Sequence, residues 1–318
     1  MIKEFFNTIQ KKKVLDFSKY GLSGELNIPF IDKRSVKELQ LLGKDVAIKA
    51  FNMSWDRFPK ITESAAQHLL FRSKVYQTNS EEKECQEKGR PFKVLLPTSR
   101  KEVKCWKWGT GPSIIFVHGW AGCGIQFHKF IPQIVEAGFS AVVFDYPSHG
   151  ESDSSMTNSF EVYESLEAIL KLLDSVHAIV GHSFGCGFAL AGVHTFKINK
   201  AVLIGPQFNT VADFERWKSE LGIKKEFFDK IICDLETKYE RTLQDLSPSE
   251  IAKKVKAPVL LFHDKEDKTV RIENSQELVR DLDQGRLKET EGLGHSRILT
   301  DEDTVKEAIK FMFEEVVS

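Results

Sequence analysis

Short apolar runs recur through the second two-thirds of the chain, and stretches with helical spacing separate nearly all of them. The runs are 92–96 and 103–108, which read as an opening strand pair, then 114–117, 141–144, 178–180, 201–204, 259–262 and 286–289. Most are apolar at successive positions rather than alternating, so they predict strands buried on both faces, in a mostly parallel eight-stranded sheet with helices on both sides. One interval breaks the rhythm. Positions 207–256 span 50 residues between two runs, where a crossover needs only about a dozen, so the interval predicts a helical cap inserted into the body. Within it Phe227, Phe228, Ile231, Ile232 and Leu235 recur at the spacing of one helical face. That face either packs on the body or lines an acyl pocket, for which Phe227, Phe228 and Ile231 are the candidates. Positions 1–88 are polar and mostly helical in pattern, with Ala65, Leu69, Leu70 and Phe71 at helical spacing. The expected organisation is an N-terminal helical extension over 1–88 and a body over 89–318 that carries the cap.

Where the run 178–180 ends, the chain reads Gly181-His182-Ser183-Phe184-Gly185 and continues into a helix-compatible stretch. Gly-x-Ser-x-Gly between strand and helix predicts a turn too crowded for side chains at its flanks, which lifts the serine hydroxyl to the carboxyl end of the sheet. A serine hydroxyl is a poor nucleophile until a base takes its proton, so Ser183 requires a histidine and a carboxylate to orient that histidine. With this type of turn the acid follows the nucleophile and the histidine comes last. Of nine histidines only His263 and His295 lie beyond the cap. His263 ends a strand run, and the loop after it carries Asp264, Glu266 and Asp267. His295 alone follows those acids, in Gly292-Leu293-Gly294-His295-Ser296, and is the base by elimination.

Acyl transfer also needs two backbone N–H donors for the oxyanion. Phe184, the residue after the nucleophile, supplies one. The other is expected from the Gly-rich loop His118-Gly119-Trp120-Ala121-Gly122 after the run 114–117, with Trp120 preferred and Ala121 second. His118 reads as a residue that fixes this turn by hydrogen bonding.

This set of motifs resembles the α/β-hydrolase superfamily over roughly 91–317, with the cap as insertion. The resemblance is carried by His118-Gly119-Trp120, by Asp145-Tyr146-Pro147-Ser148-His149-Gly150, by Gly181 to Gly185, and by Asp267 and His295. It implies that Asp267 is the orienting acid, whereas Asp264 stands where relatives often carry Gly. Some members place the acid at the end of the preceding strand, near Asp213. Ser148 departs from the family's usual Gly-His-Gly. The segment from Gly292 to Leu299 is similar to a bacterial group of uncharacterised hydrolases and implies no substrate.

Composition narrows the possibilities. With 41% apolar residues and 24 Phe, the chain holds enough material for a sizeable core. Lys and Arg number 45 against 46 Asp and Glu, so no basic field collects on a nucleic acid and no nucleic-acid partner is expected. Five cysteines without a C-x-x-C pair fit a reducing cytoplasm, and no apolar stretch reaches the length of a membrane span. Neither H-E-x-x-H, nor a Cys/His cluster, nor a G-x-G-x-x-G after a strand occurs, so no metal and no cofactor are implied. The sequence therefore predicts a serine hydrolase that cleaves a small-molecule carboxylic ester through an acyl-enzyme. Thioester or amide hydrolysis, and a catalytically silent binding protein of the same fold, are the alternatives.

Overall fold

The computed structural model describes residues 76–154, 156–207 and 224–314, together with Asn52 and 55–57. Most of the expected extension, the cap residues Phe208, Phe214, Trp217 and Leu221, and Asp213 lie outside these residues. The chain divides into two compact units, Met1–Thr62 with Leu221–Lys224 and Glu63–Glu220 with Lys225–Ser318. All the elements below belong to the second unit.

Eight strands form one sheet: β1 (Arg90–Leu95), β2 (Glu102–Trp108), β3 (Ser113–Val117), β4 (Ser140–Phe144), β5 (Val176–His182), β6 (Ala201–Ile204), β7 (Val259–Asp264) and β8 (Gly285–Thr290). Seven of them contain one of the runs read from the sequence, and β1 overlaps the run 92–96, ending one residue before it. Their order is β1-β2-β4-β3-β5-β6-β7-β8. The first pair is antiparallel, β2 joins β4 antiparallel, and every later neighbour is parallel.

The near-continuous apolar runs follow from burial on both faces. Ile115, Val117, Val142, Phe144, Ile179 and Leu203 point to one side. There they meet α3 (Ser159–Leu170), α4 (Gly185–Phe196), α6 (Pro248–Ala252) and α7 (Glu273–Asp281). Ile114, Phe116, Ala141, Val143, Val180, Val202 and Ile204 point to the other, against α2 (Ile131–Glu136) and α9 (Glu302–Phe313). Each such side chain contributes about 1.5–3 kcal/mol relative to exposure, and this two-sided core holds the strand ends in fixed relation. The remaining helices are α1 (Ser80–Glu87), α5 (Lys225–Tyr239) and α8 (Gly294–Arg297). The chain leaves the carboxyl ends of β5, β7 and β8 into the loops that carry Ser183, Asp267 and His295. Since β6 alone separates β5 from β7, the topology brings the three loops to one edge of the sheet.

Candidate active site

Ser183 sits between β5 and α4 with φ 53°, a left-handed conformation that costs a non-glycine residue roughly 1–2 kcal/mol. The crowding expected of the turn is real. A Cβ on Gly185 would lie 2.3 Å from the Val117 carbonyl oxygen, and one on Gly181 would lie 2.8 Å from the Cys186 Cα. The Ser183 N–H donates to the Ile204 carbonyl at 2.9 Å, which ties the turn to the end of β6.

The Ser183 hydroxyl donates to His295 Nε2 at 2.9 Å, and His295 Nδ1–H donates to Asp267 Oδ2 at 2.6 Å. The carboxylate accepts, so Nδ1 carries a proton, and Nε2 is turned to the serine. The other Asp267 oxygen, Oδ1, accepts the N–H groups of Thr269 at 2.7 Å and Val270 at 2.9 Å. Burial alone would push the Asp267 carboxyl up. Hydrogen bonds from His263, His295, Val270 and Thr269 outweigh it and hold the carboxyl well below the usual range. Asp267 is therefore an anion at neutral pH. Gly205, at the end of β6, lies under the His295 ring.

A family profile for the alpha/beta hydrolase fold matches residues 112–232. An esterase from Pyrococcus furiosus superposes with a TM-score of 0.57 at 16% identity, covering 76% of this chain and 96% of its own. The chain has the α/β-hydrolase fold. Sequence likeness to curated members is partial, and the chain spans about a third of the length of the first relatives it matches. The uncharacterized hydrolase YugF of Bacillus subtilis is 23% identical over 230 residues, 58% of this chain and 83% of that protein. The non-heme chloroperoxidase CPO-A1 of Kitasatospora aureofaciens is 29% identical over 132 residues, 39% of this chain and 46% of that protein.

The loop after β3 faces the turn that carries Ser183, since a Cβ on Gly119 would lie 3.0 Å from the Ser183 Cβ. Its two N–H candidates are distinguished by their partners. Ala121, at φ 59°, donates its N–H to His149 Nε2 at 3.1 Å. The N–H groups of Trp120 and Phe184 meet no acceptor among the described residues. The Trp120 ring stands edge-on to Phe184, with centroids 5.6 Å apart.

His118 is fully buried and fixes the turn, as its position in the sequence implied. It donates from Nδ1 to the Gly119 carbonyl at 2.8 Å and accepts the Tyr146 N–H at Nε2, 3.2 Å away. Asp145 accepts the N–H groups of Gly124 at 2.7 Å and Glu151 at 2.8 Å, which joins the next loop to this one. Ser148, the departure from Gly-His-Gly, has φ 63°, so the family's glycine has a backbone reason that the serine meets under strain. Phe227, Phe228 and Ile231 are buried on one face of α5. Further along that helix Leu235 and Tyr239 pack on the helical layer beside α3 and α4. Among the described residues no group of His, Cys, Asp and Glu is placed to hold a metal ion, and no helix is long and apolar enough to cross a membrane.

Three further residues surround the imidazole. His182 donates from Nε2 to the His295 carbonyl at 3.0 Å, and its ring lies 4.8 Å from the His295 ring. His263 donates from Nε2 to the Val270 carbonyl at 2.9 Å and lies 3.5 Å from Asp267 Oδ2, while the Ser275 hydroxyl donates to its Nδ1 at 2.6 Å. Asp264 holds the loop that carries His295. Strand alternation says which side a residue leaves from, but the loop each one meets comes from elsewhere in the chain.

Proposed function

We propose that this chain is a serine hydrolase that cleaves a small-molecule carboxylic ester through an acyl-enzyme, with the chemistry supplied by its own residues. The observation that carries the reading is the unbroken path from Ser183 Oγ to His295 Nε2 at 2.9 Å and from His295 Nδ1 to Asp267 Oδ2 at 2.6 Å. In the first half-reaction Ser183 Oγ attacks the acyl carbon while its proton passes to His295 Nε2. The carbonyl oxygen takes the negative charge between the N–H groups of Phe184 and Trp120. His295 then gives the proton to the leaving alcohol as the C–O bond breaks, leaving an acyl group on Ser183. In the second half-reaction water gives a proton to His295 and attacks the acyl carbon. Ser183 leaves with that proton restored, and the carboxylic acid departs. Asp267 stays ionised throughout and favours the imidazolium each time it forms.

An esterase and a chloroperoxidase both stand among the similar proteins, so the bond cleaved comes from the site and not from the fold. A triad of this kind also serves thioesters. The deciding experiment labels the protein with a fluorophosphonate and maps the adduct, alongside a panel of p-nitrophenyl esters and matched thioesters. The expected result is one adduct on Ser183 and ester turnover that Ser183→Ala lowers by about four orders of magnitude or more, with Tm unchanged. Turnover by Ser183→Ala within tenfold of wild type would sink the reading.

A further inference from the structure

We propose that Asp264 is a positioning residue for the base, in that its buried carboxylate grips the backbone on which His295 stands. The inference rests on His295 being the base of the hydrolase proposed above. Asp264 closes β7 and is 1% exposed. Its Oδ2 accepts the Thr290 hydroxyl at 2.8 Å and the Leu293 N–H at 3.0 Å, and its Oδ1 accepts the Glu266 N–H at 3.0 Å. Leu293 lies two residues before His295. Thr290 ends β8 and pairs with Asp264 across the sheet. One carboxylate therefore ties the strand before the loop, and the loop itself, to the strand that leads into the Asp267 loop.

The segment it holds has little conformation of its own. Gly292 and Gly294 both adopt positive φ, at 81° and 65°, and glycine loses more freedom on ordering than any other residue. Left untethered, Gly292-Leu293-Gly294 would let the imidazole wander from its two partners. A misplacement of about 1 Å can cost roughly a hundredfold in rate. On the other side of His295, His182 holds the residue's own carbonyl at 3.0 Å. The two aspartates thus divide one task, since Asp267 orients the ring and Asp264 fixes where the ring is mounted.

The chemistry calls for a carboxylate at position 264. Burial raises the Asp264 carboxyl, but hydrogen bonds from Gly294, Leu293, Thr290 and Glu266 outweigh it, so the group titrates below its ordinary range and is charged when the enzyme works. An amide has one accepting oxygen, and its N–H groups would face donors.

The test compares wild type with Asp264→Asn and Asp264→Ala, each well below its own Tm. The readouts are the fluorophosphonate labelling rate, kcat and KM on the best p-nitrophenyl ester, and the low-field Nδ1 proton signal of His295. We expect labelling and kcat to fall roughly 10- to 100-fold with KM within about twofold, and the Nδ1 signal to broaden or vanish. A purely structural role would lower Tm and leave the labelling rate of the folded protein and the Nδ1 signal unchanged, and that result overturns the inference. If neither variant folds, Thr290→Val replaces them. It should slow labelling in the same direction, and an unchanged rate there has the same overturning force. His295→Ala separates the two ideas. If it labels as fast as wild type, the base assignment falls and this inference falls with it. If it is inert while the Asp264 variants react like wild type, only the inference is lost.

Discussion

The Asp267 side chain spends both oxygens, one on His295 Nδ1 and the other on two backbone N–H groups. That arrangement makes substitution at 267 severe in a specific way. In Asp267→Asn the oxygen must face either the backbone donors or the imidazole. If it stays with Thr269 and Val270, the amide N–H meets Nδ1 and turns the ring to the tautomer that cannot accept the Ser183 proton. Loss of kcat should approach about 10⁴-fold with little change in fold. Steady-state ester hydrolysis measures it, and a loss below about tenfold would mean that a different carboxylate orients His295.

At the scale of elements, the turn from β5 to α4 shows how packing supports local strain. Ser183 at φ 53° is unfavourable by itself. The Gly185 backbone lies hard against the end of β3, and the Ser183 N–H is satisfied by β6, so relaxing the turn would break contacts on two neighbouring strands. The cap helix α5 poses a different question. Its buried face holds Phe228 at 1% exposure, and losing that ring should cost about 3–5 kcal/mol of stability. If the face also bounds the acyl pocket, wild type should gain roughly tenfold in kcat/KM for every two methylenes until the pocket is full, at about 0.8 kcal/mol each. Phe228→Ala should then move the optimum toward longer or bulkier chains. A series from acetyl to decanoyl esters on both proteins measures this, and coincident normalised profiles would leave α5 a purely structural helix.

Across the whole molecule, acidity should be the weak point. Burial pushes His182 down to about 3 and His149 to about 4, and holds His118 well below its ordinary value. In the unfolded chain these imidazoles take up protons below about 6.5. Between that value and the folded ones the unfolded state binds more protons, so stability present above 6.5 is lost as pH falls. Asp145 opposes this. Burial, against hydrogen bonds from Glu151 and Gly124, pushes it up to about 6, so it gains a little stability as pH drops through that value. Three imidazoles outweigh one carboxyl. Calorimetry from pH 8 to pH 4 should show Tm falling steadily below about 6.5, and a Tm that rises on acidification would contradict the burial of these histidines as neutral groups.

The inner strands were legible in the sequence because two-sided burial writes itself as continuous apolar runs, as in β3, β4, β6 and β7, whereas the edge strands β1 and β8 are mixed and mostly exposed or half-buried. The Ser183 turn was legible because only glycine fits its flanks. The positions of Ser183 and His295 followed from their order along the chain. What periodicity could not supply was partnership across the fold. The sequence marked Phe227, Phe228 and Ile231 as one helical face, yet a period carries no direction, and the burial of that face belongs to the packed protein. Sequence ranked Trp120 ahead of Ala121 as a donor, and only in the fold does His149, from the next loop, take the Ala121 N–H. Nothing in the local sequence pairs His182 with His295, and only the return of the chain after β8 sets the His295 carbonyl against it. The contacts of Asp264 with Thr290 and Leu293 arise only once β7 and β8 stand side by side with the Gly292-Leu293-Gly294 loop over their ends. Such hydrogen bonds join residues tens to more than a hundred positions apart, and the two-sided core that brings them within 3 Å is a property of the whole sheet.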